Sequence, residues 1–143
     1  MAISEFQNEY RFLSNFWPVP VTYNGVTWPS AEHAYQAAKF TDPDKIAKIL
    51  GNLDPNAAKR IGRSKGIRTD WDSVKVGIMR EIVTAKFEQH HMLMDALKST
   101  SPHELIEGNW WGDTFWGVCK GVGENWLGKI LMEIRDGSNS YRL

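Results

Sequence analysis

Pro29, Pro43 and Pro55 set where helices can begin in the first half of this chain. Proline has no amide hydrogen for a helix interior, and its fixed φ suits the first helical position. Each therefore marks a boundary and forbids one long helix across this stretch. Ser30, directly after Pro29, is a good cap for a helix over Ala31 to Phe40. Asp42-Pro43 opens a second helix. Asp54-Pro55 opens a third, running to about Ile61 before Gly62. Upstream, Val21-Thr22-Tyr23 and Val26-Thr27-Trp28 flank Asn24-Gly25, a strong hairpin signal. Pro18 and Pro20 place the segment before it on an edge or in a loop. Downstream, Thr69 or Asp70 caps a long helix to about Gln89, with Val74, Ile78, Ile82 and Ala85 at helical spacing. A further helix spans His91 to Ser99. A last one spans Glu124 to Arg135, with Leu127, Ile130, Leu131 and Ile134 facing inward. The pattern predicts an α+β fold: a predominantly helical single domain over residues 1–143 with a small N-terminal antiparallel sheet.

A chain of 143 residues suits one domain, and 42% hydrophobic content is enough for a core. Seventeen basic and seventeen acidic residues cancel, which argues against a broad basic nucleic-acid surface but allows a local patch. The single cysteine, Cys119, excludes an internal disulfide and fits a reducing, cytoplasmic setting. No basic-then-apolar leader and no apolar run near the roughly 20 residues of a membrane span is visible. No metal-ligand cluster is apparent either, so the sequence calls for no metal and no cofactor.

Three features carry chemistry. On a helix over Ala31 to Phe40, residues Glu32, Tyr35, Gln36 and Lys39 fall on one stripe, opposite Ala34, Ala37 and Ala38. Such a stripe on a short helix is commonly solvated. Yet it combines an acid, a phenol, an amide and an amine rather than ion-pair spacing. His33 points elsewhere on the wheel, as a structural hydrogen-bonding histidine does. The second feature is the loop Asn109-Trp110-Trp111-Gly112-Asp113-Thr114-Phe115-Trp116-Gly117, continuing through Lys120-Gly121-Val122-Gly123 into the last helix. Glycines before a helix let backbone N–H groups approach an anion. Asp113 reads either as a turn former or, among tryptophans, as a desolvated proton-transfer group. The third is Lys59-Arg60-x-Gly62-Arg63-x-Lys65-x-x-Arg68, either a solvated helix end or a phosphate site, with Trp71 beside it to stack on a base.

These residues bring in a family. Phe12-Leu13-Ser14-Asn15-Phe16, Trp28-Pro29-Ser30-Ala31-Glu32-His33, Gln36-Ala37-Ala38-Lys39-Phe40 and Ala58-Lys59-Arg60-Ile61-Gly62-Arg63 resemble segments of the YbiA-like, or NADAR, family. So do Trp71-Asp72-Ser73-Val74-Lys75, Met79-Arg80, Ala85-Lys86-Phe87, Trp111-Gly112-Asp113 and Gly121-x-Gly123-x-Asn125-Trp126-Leu127-Gly128. The resemblance implies an N-glycosidase, acting on ribosyl-amine bonds of early riboflavin-pathway intermediates or removing ADP-ribose from guanine in DNA. It implies that Glu32, Trp71 and Asp113 are needed for activity and that Lys39 forms a Schiff base with the opened ribose. By the same resemblance Ser14, Asn15, Phe16, Trp28, Gln36, Arg60, Arg63, Trp111, Gly112, Gly121, Gly123 and Asn125 bind substrate. The implied partners are a small phosphorylated ribosyl compound or ADP-ribose, with ADP-ribosylated DNA as a second substrate class, and no membrane. Where many relatives carry lysines in the glycine segment, this chain has Val122 and Glu124, which puts phosphate binding there in question. The competing readings are a non-catalytic module for NAD or ADP-ribose and, more weakly, a nucleic-acid binder using Lys59 to Arg68.

Overall fold

The computed structural model describes residues 1–137. The chain gathers into two compact units. The first joins Met1–Ser14 to residues 90–137, and the second is Asn15–Gln89. Among the described residues there are six α-helices, one short 3₁₀ helix and three two-stranded pairings, an α+β fold as expected.

In the second unit, β2 (Val21–Tyr23) and β3 (Val26–Trp28) form the expected antiparallel hairpin, with Tyr23 opposite Val26. Asn24 and Gly25 both have positive φ, 51° and 79°, the turn that matches strand twist. Helix α1 is Ala31–Ala37, α2 Pro43–Leu50, α3 Pro55–Ile61 and α4 Trp71–Gln89. The prolines at 43 and 55 sit in the first helical turn, and Asp42 and Asp54 cap them by accepting from the N–H groups of Asp44 and Asn56. Helix α1 is shorter than predicted. Beyond Ala37 the chain tightens into three-residue turns, with the Lys39 N–H bonded to Gln36 O and the Phe40 N–H to Ala37 O. Phe40 is buried there, and the Arg68 N–H donates to Lys39 O.

The buried residues of α4 are Trp71, Met79, Ile82, Val83, Thr84, Lys86 and Phe87; of the four expected positions Ile82 is buried, while Val74, Ile78 and Ala85 are only half-buried. Lys86 belongs to this face: the lysine is 0% exposed, its ammonium 5.0 Å from the centroid of the Phe87 ring. Burial pushes the Lys86 amine down from 10.5 to about 7. Between those values the unfolded chain holds a proton that the folded chain has released, so stability rises with pH across that window. Denaturant unfolding should show the slope, up to about 1.4 kcal/mol per pH unit, and Lys86→Met should flatten it.

In the first unit, β1 (Ala2–Ile3) pairs in parallel with β4 (Glu104–Leu105), and β5 (Gly108–Asn109) pairs in parallel with β6 (Val118–Cys119). Two-residue parallel strands leave no alternation to read, and neither pairing was expected. A 3₁₀ helix covers Asn8–Leu13, α5 is His91–Lys98 and α6 is Trp126–Asp136. The four predicted inward positions of α6, Leu127, Ile130, Leu131 and Ile134, are buried. No helix among the described residues is long and apolar enough to cross a membrane.

Candidate active site

Helix α1 begins on a rigid anchor. The Ser30 hydroxyl lies 2.7 Å from His33 Nδ1 and accepts from the His33 N–H, while His33 Nε2 lies 2.6 Å from the Asn52 carbonyl oxygen. A carbonyl only accepts, so Nε2 carries the hydrogen and Nδ1 takes the Ser30 proton. The histidine is structural. It ties the start of α1 to the loop between α2 and α3. Burial lowers its pKa below 6.5, keeping it neutral. An unfolded histidine protonates first on acidification, so stability is full above pH 6.5 and falls as pH drops below it. His33→Leu should remove that acid dependence. It should also cost about 2 kcal/mol at neutral pH, because the partners at Ser30 and Asn52 lose their bonds. Thermal melts at several pH values check both.

All seven residues of α1 are buried, so the polar stripe is not a solvated face. Glu32 is 7% exposed and Gln36 4%. The Glu32 N–H donates to Asn15 O, and Gln36 Nε2 donates to Glu32 Oε2 at 2.6 Å. Asn15 is held in turn through Nδ2 to Met79 Sδ, and its Oδ1, like Gln36 Oε1, is buried with no hydrogen-bond partner.

Lys39, just past the helix, is half-buried. Its ammonium lies 5.6 Å from the Tyr35 ring centroid and 6.0 Å from that of Trp71, and donates to Gly62 O at 3.3 Å. The two rings pack on each other at 5.2 Å. Desolvation lowers the Lys39 pKa below 10.5. Glu32 opposes this, and Arg63, Lys75 and Lys59 add to it as neighbouring positive charges. Glu32, Gln36, Lys39 and Trp71 are thus joined by contacts within one unit.

The basic segment is less uniform than its sequence. Arg60 and Arg63 are exposed, Lys59 sits 5.9 Å from the Phe16 ring centroid, and Arg68 is bound bidentately to Asp70 at 2.6 and 2.8 Å. Trp28 is a buried hairpin residue. Sequence reasoning did not assign Lys75 to the site. The family segment Trp71–Lys75 contained it, one helical turn beyond Trp71.

The remaining predicted residues belong to the other unit. Ser14, half-buried, ends the 3₁₀ helix with its N–H on Arg11 O. Trp111 is 45% exposed against Trp110 at 84%, and Gly112 is exposed. Asp113 is only half-buried. Its Oδ1 accepts from the N–H groups of Phe115 and Trp116, and Asn109 clamps its backbone from both sides. That is the turn-forming alternative.

The expectation of an anion site on the glycine segment does not hold at the last helix. The N–H groups of Glu124, Asn125, Trp126 and Leu127 already donate to the carbonyls of Thr114, Gly117, Phe115 and Trp116. Gly121, at φ 78°, serves a tight turn closed by Cys119 and Val122, and a side chain on Gly123 would overlap Gly117 O. The Asn125 amide is committed to Glu107 N and Leu105 O. These groups are occupied by the fold itself.

The NADAR domain family matches residues 3–137. This chain belongs to that family. It is 42% identical over 132 residues to N-glycosidase YbiA of Escherichia coli, covering 90% of this chain and 82% of that protein. It is 41% identical to a riboflavin biosynthesis protein of Vibrio vulnificus, of which it spans 36%. The NMR structure of E. coli YbiA superposes with a TM-score of 0.85 at 38% identity, over 99% of this chain and 86% of that one. Relatives named as N-glycosidases support a glycosidase function for this NADAR chain, and the structural match confirms the expected fold.

Proposed function

We propose that the chain hydrolyses the N-glycosidic bond of a phosphorylated ribosyl amine, with an ADP-ribosylated base as the second substrate class. The observation that carries this reading is the Lys39 amine. It lies against two aromatic rings that pack on each other, with its pKa lowered, in the same unit as the buried Glu32–Gln36 pair. A neutral amine is a competent nucleophile toward C1 of a ring-opened ribosylamine. Lys39 attacks C1, the leaving amine departs with a proton, and water then hydrolyses the imine to release the sugar and regenerate Lys39. Glu32 moves the protons of these steps. Trp71 stacks on the base, and Arg60 and Arg63 hold phosphate. Riboflavin biosynthesis proteins among the relatives, from Vibrio vulnificus and Zea mays, favour the ribosylaminopyrimidine class.

Incubation with phosphoribosylaminopyrimidines and with ADP-ribosylated DNA should release ribose 5-phosphate or ADP-ribose. Binding of ADP-ribose with no product from either substrate, and no borohydride-trapped adduct at Lys39, would instead mark a non-catalytic module.

A further inference from the structure

Gly62 is the C-cap of α3, with φ −62° and ψ −15°. Any residue adopts these values, so the backbone does not demand glycine here. The space does. A methyl group on Gly62 would overlap Gln36 Oε1 and lie 2.6 Å from Gln36 Cδ. The Gln36 side chain is buried, 4% exposed. Its amide therefore sits against the bare Cα of Gly62, and from that seat Nε2 reaches Glu32 Oε2 at 2.6 Å. The other face of Gly62 is used as well, since its carbonyl accepts from Lys39 Nζ at 3.3 Å. One residue with no side chain thus touches Lys39 directly and Glu32 through the Gln36 amide.

We propose that Gly62 is a positioning residue that couples the Glu32 carboxylate to the Lys39 amine, seating the Gln36 amide with its Cα and the ammonium with its carbonyl. The inference rests on the N-glycosidase reading of the site. Gln36 also accounts for its own unpartnered oxygen. An ionised Glu32 accepts from Nε2. When Glu32 takes up a proton, rotation of the amide by half a turn lets Oε1 accept from the new hydroxyl. The same side chain can therefore serve both protonation states of a general acid/base, provided position 62 leaves room for the amide.

The test compares Gly62→Ala, Gln36→Ala and the double variant on ribosylaminopyrimidine turnover over a range of pH. Each single change should lower kcat about tenfold. The double variant should show the same tenfold rather than a hundredfold loss, because both changes remove one contact. The acid limb of the rate profile should move to higher pH in all three, since the Glu32 carboxylate loses its donor. Residues that act only on stability would leave the profile in place. If Gly62→Ala fails to fold, Gln36→Ala and the double variant, in which the overlap is gone, should still match each other. Losses that multiply, or a profile that stays put, overturn the proposal. Full activity of Glu32→Gln would overturn instead the reading on which it rests.

Discussion

Glu32→Gln should lower turnover of the ribosylaminopyrimidine substrate by about 10² to 10⁴-fold, the range expected for loss of a positioned general acid/base. The substitution keeps the shape of the side chain and removes only its ability to carry a proton and a charge. The Glu32 N–H still donates to Asn15 O, so α1 should start as before. The bond from Gln36 changes from charge-assisted to neutral, which costs binding geometry less than it costs chemistry. A variant with an unchanged melting temperature and lost turnover supports the catalytic role. A variant with parental turnover removes Glu32 from the mechanism. The expectation follows from burial. A carboxylate only 7% exposed is expensive unless its surroundings compensate it, and the Gln36 amide reaches it from within the same helix.

How far this site could be read in advance depended on the kind of signal. Asp42-Pro43, Asp54-Pro55 and Asn24-Gly25 each fix local backbone through covalent chemistry, and the elements they start appear where they were placed. On α4 two apolar series share Ile82, one with Val74, Ile78 and Ala85 and one with Met79, Val83 and Phe87, and packing buries the second, taking Lys86 in with it. The stripe on α1 was a pattern compatible with two opposite environments. Only the packing of the whole helix, Ala31 to Ala37, decided that the polar side chains are enclosed. The glycine segment illustrates the converse. Glycines before a helix can expose N–H groups to an anion, but here residues 114–117 fold back and take those donors. Asn109 and Asp113 hold that loop by bonds only two to four residues apart, and its meeting with the start of the last helix, ten residues on, is what the glycine spacing does not encode.

Lys39→Met should abolish borohydride-dependent trapping of ribose 5-phosphate on the protein and reduce turnover at least as far as Glu32→Gln does. Lys39→Arg separates charge from nucleophilicity, since a guanidinium can keep a cation near the Tyr35 and Trp71 rings but cannot form the imine. It should therefore fold like the parent, trap nothing and turn over as poorly as Lys39→Met. The pH dependence follows from what lowers the amine's pKa. Desolvation is the largest cause, and the positive charge of Arg63 adds to it against the opposing pull of Glu32. The trapping rate should rise with pH until the Lys39 ammonium has released its proton, below the ordinary 10.5. Arg63→Gln removes a repelling charge, so the ammonium holds its proton longer and the limb moves toward higher pH. The rings act in the opposite sense to burial, because a quadrupole stabilises the ammonium and not the free amine. Trp71→Leu should then weaken substrate binding through lost stacking while leaving the Lys39 amine more easily deprotonated. A trapping profile that shifts upward in Trp71→Leu would show that the ring's contribution to Lys39 is its shielding from water rather than its π face.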